Sequence, residues 1–248
     1  MPHALPCALT VVLAFGAISC GEDGRSGGGG GGGGGGNVED TPRAERTRCT
    51  KIESVAVEAA GFAIFKYEAA RPNATAEDSG CEFADTDDDG KEDDCADVGQ
   101  PACSEGGLLP WTKVPKPEAA AGCERSGYRL CTEEEWLLAC GGADHLTLPY
   151  GRVHHNGWCN DHKSGSGSLE TSGTREECVS PYGAVDIVGN AWEWIGDPGD
   201  GGEGRYLGYS YKVSAIRPTA DPACDAGLQT GQEQYDRLEV GFRCCRDL

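Results

Sequence analysis

The sequence predicts a disulfide-rich α+β domain with few helices and many loops. Twelve cysteines follow the N-terminal leader, and an even number at scattered spacings in an exported chain is typical of a disulfide framework. Two segments show helical patterns, whereas the chain beyond residue 142 is rich in Gly, Ser and Asp and offers only short strand candidates. About 200 residues follow the leader and its glycine-rich extension, which is enough for one domain with its own core.

The regular elements are predicted from local patterns in chain order. Val55 to Tyr67 alternates loosely between apolar and polar residues, which predicts an early strand or a pair of strands. Pro117 to Arg125 is rich in alanine and is predicted to be helical. Thr132 and Glu135 have the spacing of a capping box, so a second helix is expected to begin there and to end at Gly141-Gly142.

Residues 1–20 have the features of a bacterial lipoprotein signal peptide. The apolar run from Ala8 to Ile18 is shorter than the roughly 20 residues that span a bilayer. Small residues then precede Cys20, which is the predicted lipidation site and the new N-terminus. A cleaved secretory signal without lipid is the alternative, because no Lys or Arg precedes the run and Ala17 stands where Leu is usual.

Residues 21–48 are predicted to form a flexible tether between the lipid and the domain at residues 49–248. Their unbroken glycine run, Gly27 to Gly36, cannot bury apolar surface. No acidic residue directly follows Cys20, which favours the outer membrane or the cell surface as the location, with the periplasmic side as an alternative. The membrane is then an expected partner through the N-terminal lipid.

The cysteines agree with an exported chain. Of the fourteen, Cys7 and Cys20 belong to the signal, and the others are expected to form disulfides whose connectivity stays open. A zinc site is disfavoured, because no C-x-x-C pair occurs. The framework cysteines are Cys49, Cys81, Cys95, Cys103, Cys123, Cys131, Cys140, Cys159, Cys178, Cys224, Cys244 and Cys245.

About half of the net charge of −20 lies in one acidic segment. Residues 77–97 contain eleven acids against Lys91. Within it, acids at the first, third and fifth places followed by Gly90 match the start of an EF-hand-type calcium loop, although Ala96 replaces the usual Glu at the twelfth place. A solvated acidic run without metal is the alternative, and nucleic acid is not an expected partner of so acidic a chain. The candidate calcium ligands are Asp85, Asp87, Asp89 and Asp93.

The segment Asp186–Trp194 combines two carboxylates, a glycine turn and two indoles. Asp186 and Glu193 are hard oxygen donors of the kind that calcium prefers, and Gly189 allows backbone carbonyls to turn toward a shared ion. The two tryptophans are two residues apart, so they share a face of an extended segment. A Trp-rich core strand with a satisfied acid beside it is the alternative interpretation.

Several motifs follow one another in a characteristic order. They are Tyr128–Trp136 (YRLCTEEEW), the P-Y-G turns at Leu148–Gly151 and Ser180–Gly183, Asp186–Trp194 (DIVGNAWEW) and Val240–Cys244 (VGFRC). In this order they resemble the formylglycine-generating enzyme family, also called the sulfatase-modifying factor family, over roughly residues 60–246.

The resemblance implies an irregular, loop-rich fold related to C-type lectins. It also implies a structural calcium site, with Asn190 as an amide that stabilises the turn rather than a ligand. Residues 77–105 are an acidic insertion relative to the family pattern, so the resemblance does not explain them. The positions that match the family's calcium ligands are Asp186, Gly189, Ala191 and Glu193.

Enzymes of the family oxidise a substrate cysteine with oxygen, using copper held by two cysteines after a G-G-S-[WY] motif. Here Gly208–Tyr211 is a degraded version of that motif, Lys212–Pro218 contains no cysteine, and Cys224 lies too far along to align. Copper is therefore not expected. A second branch uses iron held by two histidines and a carboxylate, and the clustered histidines lack helical ligand spacing. They are His145, His154, His155 and His162.

The sequence therefore predicts an exported, lipid-anchored domain that binds or scaffolds without catalysis and is stabilised by calcium and disulfides. Its ligand would be a protein or a glycan. The alternatives are an oxidoreductase of the same family with a non-standard site, and a subunit that lends its fold to a separate enzyme complex. A surface patch of Tyr206, Tyr209 and Tyr211 would favour binding, whereas two free thiols would favour catalysis.

Overall fold

Two four-stranded sheets and two α-helices carry the fold of the residues that the structure describes. The computed structural model describes residues 51–80, 83–84, 94–95, 99–198, 203–212, 221–225, 229–232 and 239–248. The predicted α+β class and its loop-rich character are confirmed. Residues 1–50, with the predicted signal, Cys20 and the tether, lie outside the described residues.

Most of the elements are short, and long loops connect them. The strands are β1 (Ser54–Val57), β2 (Phe62–Phe65), β3 (Phe83–Ala84), β4 (Asp94–Cys95), β5 (Arg129–Leu130), β6 (Trp192–Pro198), β7 (Glu203–Leu207), β8 (Gln229–Gln232), β9 (Val240–Phe242) and β10 (Cys244–Asp247). The helices are α1 (Lys116–Arg125) and α2 (Glu133–Gly141). The early strand pair and both helices are therefore confirmed. No helix among the described residues is long and apolar enough to cross a bilayer.

The first sheet has the order β1-β2-β10-β5 and is antiparallel throughout. Every residue of β2 is buried, and its apolar sequence FAIF is what a strand with both faces covered requires. The last strand, β10, lies between β2 and β5, with Cys245 opposite Ile64 and Cys244 opposite Leu130. Two strands that lie far apart in the sequence, β2 and β10, therefore pair at the centre of this sheet.

The second sheet has the order β8-β7-β6-β9, with β6 and β9 parallel. Trp192 and Trp194 of β6 are buried and both contact the ring of Tyr206 on β7, at centroid distances of 5.6 and 5.1 Å. The prediction that the two indoles share a face and anchor the core is thus confirmed. Strand β6 therefore carries two indoles of the core and, between them, the acid Glu193.

Helix α2 begins at the predicted capping box. The Thr132 hydroxyl accepts from the N–H of Glu135 at 3.2 Å, and the Glu135 carboxylate accepts from the N–H of Thr132 at 2.9 Å. Gly142 ends the helix, and its N–H donates to the carbonyl of Leu138. The buried Trp136 directs this helix onto β6.

Four disulfides connect the described elements. Cys103 is also disulfide-bonded. The adjacent residues Cys244 and Cys245 pair with Cys123 of helix α1 and with Cys131, which lies between β5 and α2, and this confirms that they belong to the framework. The pairs are Cys123–Cys244, Cys131–Cys245, Cys140–Cys224 and Cys159–Cys178.

Candidate functional site

A fully buried ion pair joins Glu193, which lies between the two tryptophans of β6, to Arg243, which follows β9. The Glu193 carboxylate accepts from Nη2 of Arg243 at 2.8 Å, from Nε of Arg243 at 3.0 and 3.1 Å, and from Nε1 of Trp136 at 2.6 Å. Both charged side chains have no solvent exposure. The remaining donors of Arg243 bond the carbonyls of Phe65, Lys66 and Val185.

Glu68, just after β2, adds a second buried carboxylate. It accepts from the hydroxyl of Ser172 and the side-chain amide of Asn190, each at 2.8 Å, and from the N–H of Ala191 at 3.1 Å. Burial raises the pKa of Glu68 well above its ordinary value, and the nearby charge of Asp186 raises it further. Glu68 thus connects the first sheet to the turn that precedes β6.

Asp186 is the third buried acid, and its backbone is left-handed with φ of 54°. Its carboxylate accepts from the N–H of Gly173 at 2.6 Å. Burial raises the pKa of Asp186 to about 7, although the bond from Gly173 and the charge of Arg243 act in the opposite direction. Burial therefore outweighs the positive charge that Arg243 brings to the cluster.

One of the predicted calcium ligands, the Glu193 carboxylate, already has other partners in this geometry. The bonds from Arg243 and Trp136 engage both oxygens of Glu193, so a calcium ion there would have to displace them. Within the described ranges, no three His, Cys, Asp or Glu side chains are placed to hold one metal ion. Calcium binding at Asp186, Gly189, Ala191 and Glu193 stays a prediction. The predicted ligands of the acidic segment, Asp85, Asp87, Asp89 and Asp93, lie outside the described residues.

Asn190 stabilises the turn, as predicted. Its amide donates to Glu68 and to the carbonyl of Glu170, and its side-chain oxygen accepts from Asn160 at 2.9 Å. The neighbouring Gly189 has φ of 90°, and a side chain there would meet the backbone of Asn160 at 2.9 Å. The turn is therefore fixed by contacts on both sides.

A groove crosses the surface next to this turn. It consists of two hollows of about 350 Å³ each, and Gly167 and Tyr211 line both of them. Hollows of this size are in the range of ligand sites. The first hollow is also lined by Glu77, Asp78, Ser79, Leu109, Thr112, Lys113, Ser168 and Leu169. The second is also lined by His162, Gly165 and Lys212.

Local hydrogen bonds hold the walls of the groove. The N–H of Tyr211 donates to the carbonyl of Asn190 at 3.1 Å, which links the groove to the buried turn. Next to His162 in the chain, the buried Asp161 accepts from the N–H groups of Lys163 and Ser164 and contacts Nε2 of His154 at 2.7 Å. Asp161 therefore positions the loop that brings His162 to the groove. The Asp-x-Lys-Ser turn pattern is the sequence signal that would have indicated this role.

Tyr206, Tyr209 and Tyr211 do not form the surface patch that would have favoured binding. Tyr206 and Tyr209 are buried, because both rings pack against Trp192 in the core. Tyr211 is half-buried and lines the groove. Strand alternation alone did not show which tyrosines face the tryptophans of the neighbouring strand.

The histidines are used separately. The ring of His155 stacks on Trp158 with a centroid distance of 4.2 Å, and the ring of His162 lies 5.0 Å from that of Tyr209. His154 contacts Asp161 instead. They do not converge as a set of iron ligands within the described residues. The thiols nearest in sequence to the expected copper region are also engaged, since Cys224 is bonded to Cys140.

Comparisons with known proteins agree with this architecture. The family described as "Sulfatase-modifying factor enzyme 1-like domain" matches residues 10–248. Formylglycine-generating enzyme from Bos taurus is 35% identical over 92 residues, which is 32% of this chain and 25% of that protein. Serine/threonine-protein kinase pkn1 from Chlamydia caviae is 34% identical over 91 residues, covering 36% of this chain and 13% of that one. The chain thus spans a quarter or less of these relatives.

A solved structure shows the same fold. Treponema denticola variable protein 1 superimposes with a TM-score of 0.52 at 16% identity, covering 81% of this chain and 93% of that chain. At this identity the likeness concerns the fold alone.

Proposed function

Because this chain belongs to the family of sulfatase-modifying factor enzyme 1-like domains, we propose that it is a non-catalytic binding module whose ligand lies in the groove beside Tyr211. The observation that carries the proposal is a groove without copper ligands. The groove forms beside the degraded motif Gly208–Tyr211, yet residues 205–218 contain no cysteine that could hold copper. Family membership alone does not fix the function, so the site has to carry the argument.

The lining of the groove supports binding of a protein or glycan ligand. Leu109 and Leu169 provide apolar surface, and Tyr211 provides an aromatic ring at the junction of the two hollows. Glu77 and Asp78 are exposed at one end and supply a few polar contacts for orientation. An apolar surface with a small number of placed polar groups is the usual composition of a ligand site.

A binding experiment with the full chain tests the proposal. The exported protein is applied to panels of immobilised peptides and glycans, and Tyr211→Ala is compared with Tyr182→Ala, a half-buried tyrosine outside the groove. We expect Tyr211→Ala to lose at least tenfold in affinity, about 1.4 kcal/mol, while Tyr182→Ala keeps it. Equal binding by both variants would reject the groove as the site.

The competing oxidoreductase function is tested on the same preparation. A free-thiol count, elemental analysis and oxygen uptake with a cysteine-containing peptide are measured after incubation with copper. We expect no peptide oxidation above the rate of a heat-denatured sample. Catalytic oxidation by the folded chain would replace the binding proposal with the enzyme.

The anchor is part of the proposal. We place a lipid on Cys20 and a tether over residues 21–48, because the sequence pattern of the leader supports it. Cys20→Ala is expected to move the protein from the membrane fraction to the soluble fraction, with Cys7→Ala as the matched control. An unchanged distribution of Cys20→Ala would remove the lipid from the proposal.

Calcium is proposed for the acidic segment, through Asp85, Asp87, Asp89 and Asp93, on the basis of its sequence spacing. At Glu193, by contrast, Arg243 already provides the positive charge. We expect calcium to raise the melting temperature of the wild type and of Glu193→Gln by similar amounts. A protein that also carries Asp87→Asn and Asp89→Asn should not respond. A response lost in Glu193→Gln alone would return the ion to the buried cluster.

A further inference from the structure

The second hollow of the groove, at His162, Tyr211 and Lys212, has the chemistry of an anion site. We propose that it binds an oxyanion, a carboxylate, phosphate or sulfate group carried by the ligand of the groove. This inference rests on the proposed function, since the hollow is one end of that groove. Four observations support it.

The first observation is the charge of Lys212. Its side chain is exposed at the edge of the hollow, and within the described ranges its ammonium forms no ion pair. The hydroxyl of Ser210 accepts from the N–H of Lys212 and donates to its carbonyl, both at 3.2 Å, so the backbone there is fixed. A compact ammonium on a fixed backbone is a ready partner for an oxyanion.

The second observation is that the neighbouring acids already have partners. Asp161 is buried and accepts from His154 and from two backbone N–H groups. Asp221 is paired with Lys163. Neither carboxylate is therefore available to neutralise Lys212, although the chain as a whole has a net charge of −20.

The third observation concerns His162. Its Nδ1 is buried and has no hydrogen-bond partner among the described residues. Burial lowers the pKa of His162, with Lys163 and His154 acting in the same direction and Asp161 and Asp221 against it. Burial thus disfavours the charged imidazole, and an arriving anion would favour its protonated form. A buried polar atom without a partner calls for a physical explanation, and a ligand would provide one.

The fourth observation is the loop that lines the hollow together with Lys212. Gly165 and Gly167 have φ values of 78° and 71°, and a side chain at either position would meet nothing within 4 Å. Because both residues lack a side chain, the backbone here can approach a ligand closely. The loop therefore leaves room for an oxyanion beside the charge of Lys212.

The test uses the full chain and sulfate, whose charge is constant over the relevant pH range. Histidine ring resonances are followed by NMR at constant ionic strength, and the signal lost in His162→Gln identifies His162. We expect a saturable shift of that signal, a dissociation constant raised about tenfold or more in Lys212→Gln, and no change in the control Lys51→Gln. Binding should tighten as the pH falls from 8 to 6, and this dependence should vanish in His162→Gln.

Acetate and phosphate in parallel titrations distinguish a carboxylate ligand from a phosphoryl ligand. A non-saturable response, or one that chloride reproduces, would mean general screening and overturn the inference. Equal weakening in Lys212→Gln and Lys51→Gln would do the same. If sulfate fails to bind while Tyr211→Ala still abolishes peptide or glycan binding, the inference fails and the proposed function stands.

Discussion

At the scale of single residues, Arg243 joins parts of the chain that are far apart in sequence. Its guanidinium bonds Glu193 and three backbone carbonyls without solvent exposure, so all of its N–H groups are engaged. A buried ion pair is not by itself a source of stability, because both charges lose their hydration. Removing one partner, however, leaves the other charge buried without compensation, and here Glu68 and Asp186 lie close by.

Arg243→Met should therefore destabilise the domain strongly. We expect the free energy of unfolding to fall by about 3–5 kcal/mol, measured by denaturant unfolding. Arg125→Met, which breaks the partly exposed pair with Glu118, serves as the control and should cost less than about 1 kcal/mol. Similar losses in the two variants would mean that the buried cluster has another compensating charge.

The raised pKa of Asp186 gives the stability a defined pH dependence. A carboxyl with a higher pKa in the folded state binds its proton more tightly there, so its contribution is complete below pH 4 and is lost as the pH rises toward 7. The expected loss for Asp186 is on the order of 4 kcal/mol, and Glu68 acts in the same direction.

The matched variants are Asp186→Asn and the exposed Asp144→Asn. Thermal unfolding between pH 4 and 7 should show a shallower decline for Asp186→Asn than for the wild type, whereas Asp144→Asn should follow the wild type. Parallel curves for all three proteins would contradict the assignment.

At the scale of elements, side-chain bonds attach the start of helix α2 to the first sheet. The capping-box residue Glu135 also accepts two hydrogen bonds from Arg129 of β5, each at 2.7 Å. The same Arg129 reaches Asp247 of β10 at 2.7 Å. The cap therefore orients the helix as well as stabilising its first turn.

Thr132→Ala removes the hydroxyl half of this cap. We expect a loss of about 1 kcal/mol in the free energy of unfolding, because the N–H of Glu135 loses its acceptor. Thr132→Ser should keep most of the stability, because it retains the hydroxyl. Chemical denaturation of the three proteins measures the difference. An equal loss in Thr132→Ser would indicate that the methyl group, and not the hydroxyl, is responsible.

Local signals explain why these elements were predictable. The capping box, the closing glycines and the alanine-rich helix each depend on residues a few positions apart, so the sequence alone was sufficient for α1 and α2. The parallel pairing of β6 with β9 joins Trp192 to Val240, and no local pattern specifies it. Glu68 likewise carries no signal, because its partner Asn190 is more than a hundred residues away.

At the scale of the whole molecule, two disulfides connect nearly the same pair of sites. Cys123–Cys244 and Cys131–Cys245 close loops with sequence separations of 121 and 114 residues. While one of them is present, the other closes a loop of only about ten residues, and a short loop contributes less unfolded-state entropy. Together they hold β10 beside helix α1 and strand β5.

Replacing both bridges with alanine pairs should cost more than the sum of the two single replacements. Each single removal is expected to cost about 2–3 kcal/mol, measured by denaturant unfolding. Removal of the separate Cys159–Cys178 bridge together with either one should be additive, because it closes its own loop. Strict additivity for the first two bridges would argue against their redundancy.

The candidate site was the least predictable part, because it depends on how distant parts of the whole molecule come together. Four loops, around residues 77–79, 109–113, 162–169 and 211–212, meet only in the folded chain to form the groove. The sequence identified Asp186 and Glu193 as chemically unusual, but it did not show that the buried Arg243 pairs with Glu193. The order of the motifs was therefore sufficient to predict the fold. The arrangement of the site could be determined only from the three-dimensional contacts.

The place of β10 in the first sheet has a consequence for how this protein is made. Strand β10 lies far along the chain from its neighbour β2, so the hairpin of β1 and β2 cannot complete its sheet until β10 has been synthesised. A premature stop before residue 240 would remove the central strand, two cysteines and Arg243 at once. Such a product should be cleared as unfolded protein, because its first sheet stays incomplete.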